Sequence, residues 1–142
     1  MSGPLFVPDA SVLLKWALRS PDEESAESAL ALKSAWLQGR VEIAVPSLWA
    51  FEVGNVLGVK QPSIAPLLLQ ALLDLALPEA GPQAYAPVMF KLMRQHEVTF
   101  YDAAYHGLAI WRGGTMLTAD RRYVTRGRSS GSVALIGEWN PI

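Results

Sequence analysis

Cysteine is absent from the chain, so neither a disulfide framework nor a thiolate metal site is available, and a reducing compartment, the cytoplasm, is the expected setting. Positive charge is not in excess either. Against 13 Asp and Glu stand 12 Lys and Arg, a formal net charge of -1, so no overall basic field advertises nucleic acid and any such contact has to be local. Long apolar runs are missing too: each is broken by charge, Pro or Gly, and Met1 to Phe6 has no basic segment leading into one. Neither a signal peptide nor a membrane span is therefore expected.

What is present suits one domain over residues 1–142, long enough to bury a core without staples. An apolar fraction of 51% with 5 Trp is high for a soluble chain, which points to an interface with a second subunit or a partner.

Leu5-Phe6-Val7, ended by Pro8, reads as a buried strand, and Ser11 then caps a helix through Val12, Leu13, Trp16 and Ala17. Ser20-Pro21-Asp22-Glu23 starts a second helix that runs to about Gln38 and stops at Gly39. A strand over Val41 to Val45, a helix over Leu48 to Leu57 stopped by Gly58, and a helix over Ser63 to Leu73 follow. Leu75 to Leu77 reads as a short strand before a Pro78 to Pro82 loop, and Gln83 to Gln95 as a helix with Pro87 as its weak point. Thr99 caps a helix that Gly113-Gly114 ends; Thr115 to Thr118 is a strand, Arg126 to Gly131 a polar loop, and Ser132 to Ile136 the last strand. Strands alternating with helices predict an α/β fold whose central, mostly parallel sheet is flanked by helices in three layers, with ligands beyond the carboxyl ends of its strands.

Four acids stand out. Asp9 follows the first strand directly, Glu52 sits among Trp49, Phe51 and Val53, Asp102 among Phe100, Tyr101, Ala103 and Ala104, and Asp120 just past the strand Thr115 to Thr118. Burying a carboxylate is costly unless something positive pairs with it. Asp9 and Asp120 lie at strand carboxyl ends, Asp102 in the first turn of its helix, and Glu52 near the start of a helix leaving the same rim. Singly, each reads as a cap, a turn residue or half of a salt bridge. As a set of hard oxygen ligands without Cys or a well-placed His pair, they point to Mg2+ or Mn2+ rather than Zn2+.

These places are where the chain resembles the PIN-domain ribonucleases, in particular the VapC-type toxins of toxin-antitoxin pairs. Pro8-Asp9-Ala10-Ser11 through Trp16 resembles the first motif, Pro46-Ser47-Leu48 through Glu52 to Asn55 the second, Tyr101-Asp102-Ala103-Ala104-Tyr105 the third, and Leu117-Thr118-Ala119-Asp120-Arg121-Arg122 the fourth. The resemblance implies that Asp9, Glu52, Asp102 and Asp120 hold Mg2+ or Mn2+, supported by Ser11 and Thr118, and that RNA is hydrolysed to a 5′-phosphate and a 3′-hydroxyl. It also implies a small VapB-like antitoxin and a homodimer as partners.

The stretch Val56 to Gln61 is poorer in basic residues than in many relatives, whereas Arg121, Arg122, Arg126 and Arg128 crowd behind Asp120. They read either as a local phosphate grip or as an ordinary solvated loop. Asn55, one turn after Glu52, reads either as a partner that hydrogen-bonds it or as an ordinary structural amide; His106, four residues after Asp102, reads as structural, His96 as a helix-end residue, and Trp16, Trp36, Trp49 and Trp111 as core or interface. Two rival readings remain: a degenerate PIN domain that binds RNA or assembles without cutting, and an Mg2+-dependent phosphohydrolase with Asp9 as nucleophile. The latter lacks a second Asp two residues on, where Ser11 stands.

Overall fold

The computed structural model describes residues 3–18 and 23–141. The apolar run at the start forms strand β1 (Leu5–Pro8), with Leu5, Val7 and Pro8 buried, as befits a parallel strand covered on both faces. Helix α1 (Ala10–Ala17) follows at once. Its cap is Asp9 rather than the expected Ser11: the Asp9 carboxylate accepts the Val12 N–H, and the Ser11 hydroxyl donates back to Asp9. Helix α2 (Glu23–Leu37) closes at Gly39, whose φ of +74° lies in the left-handed region that glycine adopts most readily. The helix start expected at Ser20, Pro21 and Asp22 lies outside the described residues.

The strand expected over Val41 to Val45 divides into β2 (Glu42–Ile43) and β3 (Val45–Pro46), in different sheets. The Ala44 N–H still reaches the Phe6 carbonyl of β1, but that of Val45 turns to Pro78. Helix α3 (Trp49–Lys60) continues through Gly58, since an isolated glycine costs a helix only about 1 kcal/mol. Helix α4 (Ala65–Leu73) begins two residues later than expected, with Pro66 in its first turn. Leu75 to Leu77 is irregular, not a strand, leaving the turn at the end of α4 with Ala76 at φ 54°, and the strand β4 (Glu79–Ala80) falls in the predicted loop. Pro87 governs the next start: helix α5 (Ala86–His96) places it in the first turn, where its missing N–H costs nothing, and residues 82–84 form a separate short turn of helix. Helix α6 (Phe100–Arg112) is capped by Thr99 and ended by Gly113, as expected. After β5 (Thr115–Thr118), helix α7 (Arg121–Gly127) and a helical turn over 128–130 replace much of the anticipated polar loop, and β6 (Val133–Leu135) ends the sheet.

The main sheet is parallel throughout, in the order β2-β1-β5-β6, and β3 and β4 pair separately. Seven helices among the described residues flank it, giving the α/β architecture expected. Helices α1 and α6 both pack on β1 and β5, α5 covers α6, and α2, α3 and α4 gather around α1. Seven consecutive residues of α6, Ala103 to Ala109, are buried, which makes it the spine of the core. From β1 the chain moves first to β2 on one side and later to β5 on the other, so the strand order reverses between β1 and β5. Open parallel sheets bind ligands at that reversal. No helix among the described residues is long and apolar enough to cross a membrane.

Candidate active site

Asp9 stands at this reversal. Its N–H donates to the Leu117 carbonyl of β5 (3.0 Å), fixing the residue between the two central strands. One carboxylate oxygen accepts the Ser11 hydroxyl (2.5 Å) and the Val12 N–H (3.3 Å); the other accepts the Thr118 hydroxyl (2.6 Å). Thr118 is fully buried, and its oxygen in turn accepts the Asp120 N–H (3.0 Å), while Ser11 accepts the Ala119 N–H (2.9 Å). Both hydroxyls singled out in the sequence therefore touch Asp9 and stitch it to the strand end that carries Asp120. Burial pushes the Asp9 carboxyl up to about 6, outweighing the donors that hold its charged form down.

Glu52 lies partly buried in the first turn of α3, and its Oε1 accepts the Tyr105 hydroxyl of α6 (2.6 Å). Its carboxyl is raised by burial first, against the Tyr105 bond, and then by the charge of Asp102. Asp102, in the first turn of α6, and Asp120, the cap of α7, are exposed, and for Asp102 this differs from the burial that its apolar neighbours suggested. One turn of helix resolves this: Ala103 and Ala104 face the core while Tyr101 and Asp102 face out. The Asp102 carboxyl is raised mainly by desolvation, against the Thr99 hydroxyl, with the charge of Asp120 adding to the rise and that of Arg126 opposing it. Asp120 caps α7 by accepting the N–H groups of Arg122 (3.0 Å) and Tyr123 (3.2 Å).

Like charges thus link the acids in sequence: Asp102 acts on Glu52, Asp120 on Asp102, and Glu52 and Asp9 both act on Tyr105. Among the described residues no three Asp, Glu or His side chains stand as a finished metal cage. The chemistry nevertheless fits a divalent cation. The donors are hard carboxylate oxygens, each of the three shifted ones is raised by desolvation, and two of them are raised further by a neighbouring carboxylate, a strain that a cation relieves.

Arg122 and Arg126 line a cleft of about 110 Å3 together with Val98, Asp102, Asp120 and Tyr123. Arg121 joins them in an adjoining groove with Thr125, whereas Arg128 is exposed on the turn beyond and lines neither. Asn55 is exposed one turn past Glu52 and makes no side-chain hydrogen bond among the described residues. His106 is structural, as read: it is fully buried between the Tyr123 hydroxyl and the Gly131 carbonyl, each 2.7 Å away. Trp16 stacks on Trp36 and Trp49 is buried against Glu79, while Trp111, stacked on Tyr85, stays about half exposed. Tyr105 and Tyr123 are the residues that sequence reasoning missed; their spacing of three from Asp102 and from Asp120 is the signal that points to them.

Residues 6–128 match the PIN domain family. Over 126 residues the chain is 34% identical to Ribonuclease VapC3 of Pyrobaculum aerophilum, covering 82% of this chain and 90% of that protein. Among solved structures it resembles VapBC2 of Rickettsia felis bound to a DNA fragment from its promoter, with a TM-score of 0.66, 17% identity, and 92% of this chain and 96% of that one covered. A toxin-antitoxin complex from Klebsiella pneumoniae gives a TM-score of 0.64 at 17% identity, covering 99% of this chain and 98% of that one.

Proposed function

The chain belongs to the PIN-domain family, and on that premise we propose that residues 1–142 form one PIN domain that acts as a Mg2+- or Mn2+-dependent endoribonuclease, the toxin of a toxin-antitoxin pair. The observation that carries the reading is Asp9: a carboxylate at the centre of the sheet's carboxyl edge, pushed up to about 6 by burial and held by two hydroxyls whose residues sit on adjoining elements. In this reading Asp9, Glu52, Asp102 and Asp120 hold the cation. A bound Mg2+ or Mn2+ would supply an activated water and neutralise charge on the phosphodiester.

The chain's own residues do the rest. Ser11 and Thr118 aim the Asp9 oxygens, and Tyr123 and Arg122 fix the Asp120 carboxylate through their N–H groups. Arg122 and Arg126, on the cleft wall beside Asp102 and Asp120, would hold the phosphates flanking the bond to be cut, with Arg121 next to them. Ser11, a hydrogen-bond donor to Asp9, stands two residues on, where the phospho-enzyme alternative would need a second Asp, which disfavours that alternative.

A small antitoxin and a second copy of the chain are the proposed protein partners, in the cytoplasm. Phe51, Leu67 and Phe90 are 83%, 74% and 51% exposed, and an apolar groove of about 350 Å3 opens between Leu48, Phe51, Tyr85, Phe100 and Tyr101. Apolar surface of this extent beside an active site is what such partners cover. Induced expression in a bacterial host tests the toxin reading. Growth should stop, with RNA fragments bearing 5′-phosphates, and Asp102→Asn should restore growth; arrest with intact RNA would overturn it.

A further inference from the structure

Glu52 and Asp102 approach each other from different helices, and nothing in the backbone alone fixes where the longer Glu52 side chain ends. The structure supplies a tether. Tyr105, one turn beyond Asp102 on α6 and 3% exposed, donates its hydroxyl to Glu52 Oε1 at 2.6 Å, across 53 residues of sequence. Glu52 is flanked by Phe51, which points to solvent, and by fully buried Val53, so its own position on α3 lies at the border between core and water. Repelled by the Asp102 carboxylate, an untethered Glu52 would swing outward.

We propose that Tyr105 is a positioning residue for the metal: its hydroxyl holds one oxygen of Glu52 in place and leaves the other to face the cation. This rests on the reading of Glu52 as a metal ligand. A neutral hydroxyl suits the task. It orients the carboxylate without cancelling its charge, as a Lys or Arg would, so the full negative charge stays available to a cation. The rigid ring also ties Glu52 to the helix that bears Asp102, setting the separation of the two carboxylates through one side chain. Tyr85 provides an internal contrast, since its hydroxyl is spent on the Ala104 carbonyl (2.8 Å) of the same helix.

Calorimetric titration with MnCl2 alone, on Tyr105→Phe, Tyr85→Phe and Glu52→Gln, tests the proposal alongside RNA cleavage kinetics. Tyr105→Phe should weaken Mn2+ binding by roughly 10-fold or more and lower kcat, with KM for RNA little changed, because partners of metal ligands are worth about 10- to 100-fold in affinity. Tyr85→Phe should bind Mn2+ like the wild type. Loss of affinity in Glu52→Gln with none in Tyr105→Phe would overturn the role of Tyr105 and leave the site standing. Wild-type affinity in Glu52→Gln would remove the site reading itself, and the proposal with it. Should Tyr105→Phe fail to fold, proton NMR of the unaltered protein decides: the Tyr105 hydroxyl proton should stay protected when Mg2+ is added, and its loss on addition would overturn the tether.

Discussion

Nδ1 of His106 lies 2.7 Å from the hydroxyl of Tyr123, and through this contact the helix that presents Asp102 is joined to the helix that Asp120 caps. On the far side of the ring, Nε2 lies 2.7 Å from the Gly131 carbonyl, which can only accept, so Nε2 carries the proton and Nδ1 accepts from Tyr123. Burial lowers the His106 pKa and keeps the ring neutral. Gly127 completes the fit, because a Cβ there would stand 3.0 Å from the His106 ring.

Tyr123→Phe should therefore cost about 1–3 kcal/mol of stability, since it leaves a buried ring nitrogen without its donor. Chemical denaturation at pH 7.5 reads the loss. Activity measured well below the melting temperature should fall as well, because the spacing of Asp102 and Asp120 loosens.

The raised carboxyl of Asp9 predicts a pH dependence of the metal-free protein. Its folded pKa, about 6, exceeds the ordinary 3.8, so the folded state holds the proton more tightly and stability falls as pH rises between those values. The cost reaches about 3 kcal/mol above pH 6. In EDTA, Asp9→Asn should match the wild type at pH 3.5 and melt higher at pH 7. Subtracting the two profiles removes the opposite contribution of His106, whose depressed pKa favours folding as pH rises. Adding Mg2+ at pH 7 should stabilise the wild type alone.

Thr118 donates to Asp9 and accepts from the Asp120 backbone, so one hydroxyl serves two of the four acids. Thr118→Val, close in shape, should strand both partners, costing about 1–3 kcal/mol and weakening Mn2+ binding by roughly 10-fold or more. Thr118→Ser, which keeps the hydroxyl, should restore most of the affinity.

Arg122 and Arg126 line the cleft and Arg128 does not. Replacing the first two with Gln should raise KM for RNA and flatten its salt dependence, by about 0.7 per lost phosphate contact on single strands, with kcat less affected. Arg128→Gln should stay near the wild type.

Much of this candidate site is legible in the sequence alone, because Asp9, Asp102 and Asp120 each stand beside a local signal, a strand end or a helix cap. Ser11 and Thr118 are legible for the same reason, although Ser11 proves a donor to the cap rather than the cap itself. Contacts across the chain are not: Tyr105 reaches Glu52 over 53 residues, and His106 reaches Gly131 over 25. Ala44 and Val45 show the same limit, since which sheet a short apolar run joins depends on Phe6 and Pro78, far off in sequence. Helix α7 is hidden because its Arg-rich, Gly-ended sequence has the composition of a loop, and its start depends on the Asp120 side chain that caps it.

Cleavage of total cellular RNA by the purified, antitoxin-free protein tests the central claim most directly, run in Mg2+, Mn2+ and EDTA beside Asp9→Asn and Asp102→Asn. Discrete fragments that need the metal and vanish in both variants are predicted. Fragments that persist in EDTA or in either folded variant, or no cleavage by folded, metal-loaded wild type, would contradict it.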